Sequence, residues 1–449
     1  MKNITVNALS GLLALLLTAC GGGGGGGGGS GVNDPPDQGV PPEPGATGLS
    51  GQVTAPNGET PVPGVTVYYT GTGIGLSLPA MRSTQAGCAA PPAGSEIWGC
   101  TDRHGFFALE FGELDPLPDT LPLAFSKGKW SGEASADTLG EYIGALSFPA
   151  DVDAGAPRIA VITGIYDQIE EVLVQLGMTS QAGTGSTAQS RSTPVGEHHA
   201  HKPPHQHTHR TNGQPRIAMP MTEDYDICDL PGLCDEPDWL GSETFDLYIG
   251  SRPYEGIGEG YPDMEALFTP GPGGLLPLME YDILYVNCET SPPDYADWQN
   301  ALEAFVSQGG LLYVTDLSSE WVIGAFQSYV SLDGGAEGVD WGDRVQVTDN
   351  ALRSWLRAMP CGNGNACVDS SGRFLLTGYG DDVLIPTDQD LITPLVTDQN
   401  DNRVLTLRFP HGENAGQVFF STFHTSDGLP GGGVGTAEER MLEYLFYAD

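Results

Sequence analysis

Positive charge is scarce in this 449-residue chain: 18 Lys and Arg stand against 58 Asp and Glu, a formal net charge of −40. The only lysines are Lys2, Lys127, Lys129 and Lys202. A surface this acidic repels phosphate backbones, which excludes nucleic acid as a partner on electrostatic grounds. Long apolar runs are also lacking. The run Leu12-Leu13-Ala14-Leu15-Leu16-Leu17 is too short to span a bilayer as a helix. No two cysteines have the Cys-x-x-Cys spacing that marks many zinc sites, which argues for pairing with one another instead.

What is present begins at the N-terminus. Lys2 gives a positive n-region, the leucine run an apolar h-region, and Thr18 and Ala19 are small residues before Cys20. That order is the pattern of a cleaved secretory signal. Leu17-Thr18-Ala19-Cys20 resembles the lipobox of bacterial lipoproteins. The resemblance implies lipidation at Cys20, membrane lipid as a partner, and residues 1–20 as the signal. Gly21 stands where an inner-membrane retention Asp would be. The outer membrane is therefore the expected address, with the body periplasmic or surface-exposed. Residues 21–46 read as a tether: Gly21 to Gly29 cannot hold one backbone conformation, and Pro35, Pro36, Pro41, Pro42 and Pro44 stiffen its end. Such a coil spans roughly 25–30 Å.

Seven cysteines remain after Cys20. Cys228/Cys234 and Cys361/Cys367 each enclose five residues, and Cys88 and Cys100 flank another loop. In an oxidising compartment these spacings suggest three local disulfides with Cys288 left over.

Residues 47–152 carry short alternating runs between Gly and Pro, such as Val65-Thr66-Val67-Tyr68-Tyr69 and Gly105-Phe106-Phe107-Ala108-Leu109. Period-two runs bounded by turns predict an antiparallel β-sandwich. Gly51-Gln52-Val53, Pro61-Val62-Pro63-Gly64-Val65-Thr66-Val67 and Thr101-Asp102-Arg103-His104-Gly105-Phe106-Phe107 resemble the carboxypeptidase regulatory-like family. That resemblance implies a prealbumin-like module without catalysis.

Residues 156–449 change rhythm. Arg158-Ile159-Ala160-Val161-Ile162-Thr163-Gly164 is a continuous apolar run, as buried parallel strands read. Ile165, Ile169, Val172, Leu173 and Leu176 follow at helical spacing until Gly177. The alternation recurs at Phe245 to Ile249, Tyr281 to Val286, a helix over Asp294 to Gln308, Leu311 to Thr315, and Gly416 to Ser421. A final helix opens on Thr436 and Glu439 as a capping box. The expectation is an α/β doubly wound, mostly parallel sheet of the flavodoxin-like kind. Tyr281-Asp282-Ile283-Leu284-Tyr285-Val286, Leu302 to Leu312 and Gly416 to His424 resemble the class I glutamine amidotransferase-like superfamily, including its ThuA-like members.

The resemblance implies a nucleophilic cysteine on the turn after the strand ending at Thr315, but that turn reads Asp316-Leu317-Ser318-Ser319. The family histidine falls on His424 and its acidic partner on Ser426. Cys288 follows a different strand and is set aside. Two of three catalytic parts are thus missing. Strand-end crevices in such sheets still bind ligands. The groups expected there are Asn287, Glu289, Asp316, Ser318, Ser319, Glu320 and His424, with Ser318 and His424 as the catalytic alternative. Helix capping is the plain account of Asp316 and Ser318.

An insert at about 178–222 is polar and holds His198, His199, His201, His205, His207 and His209. Clustered imidazoles suit Zn, Ni or Cu, although a solvated spacer has the same composition. Asp398-Gln399-Asn400-Asp401-Asn402 resembles a calcium loop without the Gly and Glu of an EF-hand, so a polar turn is its plain reading. Together these features lead to the expectation of an envelope lipoprotein acting as a non-catalytic binding or scaffolding protein. Its partner would be an envelope protein or carbohydrate. The alternative is a ThuA-like hydrolase or carbohydrate-processing enzyme.

Overall fold

Short alternating runs and long apolar runs build different layers in the computed structural model. It describes residues 39–71, 88–91, 95–111, 120–137, 139–164, 167–180, 239–250, 260–333, 338–339, 342–361, 364–377, 380–414, 416–424 and 435–448. Cys20, Cys228, Cys234, Ser426 and the six clustered histidines lie outside these residues.

Among the described residues, the N-terminal part forms seven strands: β1 (Gly48–Thr54), β2 (Thr66–Tyr69), β3 (Trp98–Cys100), β4 (Phe106–Glu110), β5 (Leu121–Lys127), β6 (Trp130–Ala136) and β7 (Glu141–Ser147). They make one sheet in the order β4-β1-β7 and another in the order β3-β2-β5-β6. Alternation turns one side of each strand inward. In β4, Phe107 and Leu109 are buried while Ala108 and Glu110 are exposed. The expectation of uniformly antiparallel pairing fails at one place, because β7 joins β1 in parallel. The 3₁₀ turn at Val152–Ala154 then leads into the second part of the chain.

That part contains β8 (Ile159–Ile162), α1 (Ile169–Gln175), β9 (Asp246–Tyr248), α2 (Glu265–Phe268), β10 (Ile283–Val286), α3 (Trp298–Ser307), β11 (Leu311–Thr315), α4 (Glu320–Phe326) and β12 (Val330–Leu332). It continues with β13 (Arg344–Val347), α5 (Asn350–Ala358), β14 (Pro360–Cys361), β15 (Asn365–Ala366) and β16 (Arg373–Leu375). The chain closes with β17 (Leu384–Pro386), β18 (Thr393–Asp398), β19 (Val404–His411), β20 (Gly416–Ser421) and α6 (Ala437–Phe446). It is an α/β domain. Its nine-stranded sheet runs β16-β13-β18-β19-β20-β11-β10-β8-β9. The five strands from β20 to β9 pair in parallel. The four from β16 to β19, and the β19–β20 junction, pair antiparallel. The expectation of a mostly parallel sheet therefore holds for only half of it. The other half is made by β16, β13 and the β18–β19 hairpin, whose connection is short enough for antiparallel neighbours.

Every residue of β8, β10 and β11 is buried, as strands covered on both faces require. Helix α3 turns Ala301, Leu302, Phe305 and Val306 inward and ends before Gly309, whose φ of 101° favours glycine. The capping box of α6 is present, with Thr436 accepting from the Glu439 amide. Met178, expected to open the polar insert, is instead a core residue, and Thr179 bridges to Glu243. Disulfides join Cys88 to Cys100 and Cys361 to Cys367, and Cys288 is free and buried.

One apolar core runs through both parts. Trp130 of β6 is 1% exposed and lies 5.0 Å from the Phe446 ring, 5.1 Å from Tyr447 and 5.7 Å from Phe148. Its indole donates to the Phe446 carbonyl at 3.3 Å. Among the described residues no helix is long and apolar enough to cross a membrane.

Candidate functional site

Parallel strands all end on the same edge of their sheet, so whatever follows them converges there. Leu284-Tyr285-Val286 of β10 lies in register with Leu312-Tyr313-Val314 of β11. Two residues beyond each Val stand Cys288 and Asp316. On the other flank of β11, Thr315 pairs with Ser421 of β20, three residues before His424. Residues 28 and 108 positions apart in sequence thereby become neighbours.

His424 Nε2 lies 2.9 Å from Asp316 Oδ2, and the Cys288 thiol donates to the same oxygen at 3.7 Å. The three donor atoms lie within 4.8 Å of one another. Cys288 is 0%, Asp316 1% and His424 6% exposed. The other Asp316 oxygen, Oδ1, accepts from the backbone amides of Asp381 at 2.7 Å and Asp382 at 2.8 Å. Asp316 has a φ of 37°, an uncommon conformation for a residue with a side chain, and these bonds hold it there.

Two glycines permit the close packing around this edge. A Cβ at Gly164 would collide with the Cys288 carbonyl oxygen, and one at Gly380 with the Thr422 carbonyl oxygen. The turn carrying Cys288 is clamped by hydroxyls. Ser318 Oγ donates to the Asn287 carbonyl at 2.7 Å and accepts from the Thr290 amide at 2.8 Å. Thr290 Oγ1 donates to the Thr163 carbonyl, and Trp321 Nε1 to the Thr290 carbonyl. Glu289, next to Cys288, takes a φ of 62° to complete that turn.

Burial dominates the electrostatics of the thiol. Desolvation pushes the Cys288 pKa up to about 12, although the hydrogen bond to His424 pulls the other way. At neutral pH the sulfur is a thiol rather than a thiolate, and so a poor nucleophile.

The sequence-expected residues divide accordingly. Asp316 and His424 meet. Ser318 is engaged with backbone groups of the Asn287–Thr290 turn, not with His424, so the expected serine–histidine pair does not form. Asn287 is buried, and its amide donates to Glu170 Oε2 at 2.7 Å and to the Asp167 carbonyl at 3.2 Å. Ser319 donates to Asp382 at 2.6 Å, and Glu320 is exposed in the first turn of α4. The ground for setting Cys288 aside does not hold: it follows a different strand, but that strand is the in-register neighbour, and the thiol reaches Asp316. The repeated Leu-Tyr-Val is the signal that could have revealed it. At the loop from Asp398 to Asn402, Arg403 pairs with Asp398 and with Asp401. A concavity of about 420 Å³, bordered by Asp151, Asp153, Arg158 and Asp246, lies at the opposite edge of the sheet, where the parallel strands begin.

No family model matches the sequence, and no curated protein is similar to it. Among solved structures it is similar to a GMP synthase subunit from Thermoplasma acidophilum, with 7% identity and a TM-score of 0.26. That match covers 46% of this chain and 80% of the other. A glutamine amidotransferase from Thermotoga maritima has 15% identity and a TM-score of 0.25, covering 45% and 71%. A ThuA-like protein from Bacteroides uniformis has 11% identity and a TM-score of 0.27, covering 45% and 76%. Likeness at these scores carries no argument about activity.

Proposed function

We propose that this chain is a lipid-anchored protein of the bacterial cell envelope whose α/β domain binds a ligand rather than performing acyl transfer. In this reading Cys20 is acylated and held at the outer membrane, with residues 21–46 as tether. The two N-terminal sheets form a carboxypeptidase regulatory-like β-sandwich, and the α/β part is an amidotransferase-like fold. An envelope protein or a carbohydrate is the partner class.

The observation that carries the reading is the strand-end turn itself. A carboxylate, Asp316, takes the place of a nucleophilic thiol, and two backbone amides and His424 fix it. The thiol nearby is sealed from solvent and protonated. An acyl-transfer nucleophile needs access and a neighbouring base that ionises it, and burial opposes both.

The test is alkylation of the folded chain with iodoacetamide, read by peptide mass spectrometry. Cys288 should stay unmodified until the protein is unfolded; rapid labelling in the folded state would refute the binding reading. Palmitate labelling that survives Cys20→Ser would refute the anchor. The convergence of Cys288, His424 and Asp316 favours one rival, a thiol hydrolase. That rival requires Cys288→Ala to abolish turnover in a folded protein.

A further inference from the structure

From this strand-end geometry we infer that Cys288, Asp316 and His424 form a binding site for a zinc-class divalent cation. Sulfur, nitrogen and oxygen donors converge here from three different strand ends, all within 4.8 Å of one another and shielded from water. Donors around tetrahedral zinc stand roughly 3.3–3.6 Å apart, from its usual bond lengths. The oxygen–sulfur separation is 3.7 Å and the oxygen–nitrogen separation 2.9 Å. Shifts of under about 1 Å would admit the ion.

Two donors point at a single carboxylate oxygen, and a cation replaces those shared protons with one centre. On binding, the thiol proton leaves to bulk water and the His424 Nε2 proton moves to Nδ1, leaving a neutral imidazole ligand; the resulting thiolate and the Asp316 carboxylate balance the two positive charges. The Asp381 and Asp382 amides already hold the far carboxylate oxygen, which fixes the ligand's orientation as outer partners do in metal sites. A sulfur ligand selects against magnesium and calcium. Three protein ligands leave a fourth position for water or a donor from a bound molecule. This site is separate from the histidine-rich segment, which has no thiol between His198 and His209.

Cobalt(II) titration of the full chain tests the inference, because a thiolate–cobalt charge-transfer band cannot arise from histidine alone. One cobalt per chain should produce that band, and zinc should displace it. Deleting residues 198–209 should leave the band, Cys288→Ala should remove it, and His424→Ala should weaken cobalt binding by about tenfold or more. No band in the wild-type chain at saturating cobalt overturns the site, as does a band that survives Cys288→Ala. If Cys288→Ala does not fold, Cys288→Ser, closer in size, takes its place, and the wild-type titration decides by itself. Failure here leaves the alkylation result on Cys288 untouched, so the two readings fall separately.

Discussion

Two buried regions of this protein meet water exclusion in opposite ways. At the seam between the N-terminal sheets and the α/β part, Trp130, Phe148, Phe446 and Tyr447 fill space with rings 5.0–5.7 Å apart. At the strand ends, Cys288, Asp316, Ser318 and His424 are equally dry but polar, and each polar contact has a fixed direction. The seam gains from area removed from water, which tolerates small changes of shape. The strand-end cluster gains from bonds whose loss leaves a buried group unsatisfied. Stability should therefore follow volume at the first and partner identity at the second.

The largest expected effect lies at the seam. Trp130→Ala should cost about 3–5 kcal/mol in denaturant unfolding, and Trp130→Phe distinctly less. Equal losses for the two would show that the indole hydrogen bond, rather than ring volume, dominates there.

A second measurement places buried charge between the two extremes. Burial raises the carboxyl of Glu438, which accepts from the amide and hydroxyl of Thr377, to about 7. Burial likewise raises Glu443, paired with Arg440, to about 7. Folded protein holds these protons more tightly than the unfolded chain, whose carboxyls titrate near 4.5. Their contribution is complete below about pH 4.5 and is lost as pH rises through about 7. Glu438→Gln should remove roughly 3 kcal/mol of that fall between pH 5 and pH 8, read as a flatter profile of stability against pH. An unchanged slope would assign the pH dependence to other groups.

The smallest of the three effects sharpens the polar side. Ser318→Ala strips the hydroxyl from between the Asn287 carbonyl and the Thr290 amide, and should cost about 1–3 kcal/mol in the same unfolding assay. Ligand affinity should hardly change. A loss of binding with stability unchanged would move Ser318 from clamp to contact.

Much of the architecture was legible in particular residues. Gly309 stopped α3, Thr436 and Glu439 capped α6, and the unbroken apolar runs became the buried parallel strands. These signals act within a few residues, so local chemistry suffices to read them. The β18–β19 hairpin was not legible although Asp398 to Asn402 reads as a polar turn, because four successive buried residues and register shifts break the period-two alternation of β18. In the candidate site, Asp316 and His424 were legible because each ends a recognisable strand, whereas Cys288 was discarded for ending another.

By itself, the sequence determined the element types, the acidic surface, and the close Cys88–Cys100 and Cys361–Cys367 spacings that the disulfides bridge. Only the tertiary structure decided that Cys288, Asp316 and His424 share one dry corner. Strand order and register are set by how whole faces pack, and no window of neighbouring residues contains that information.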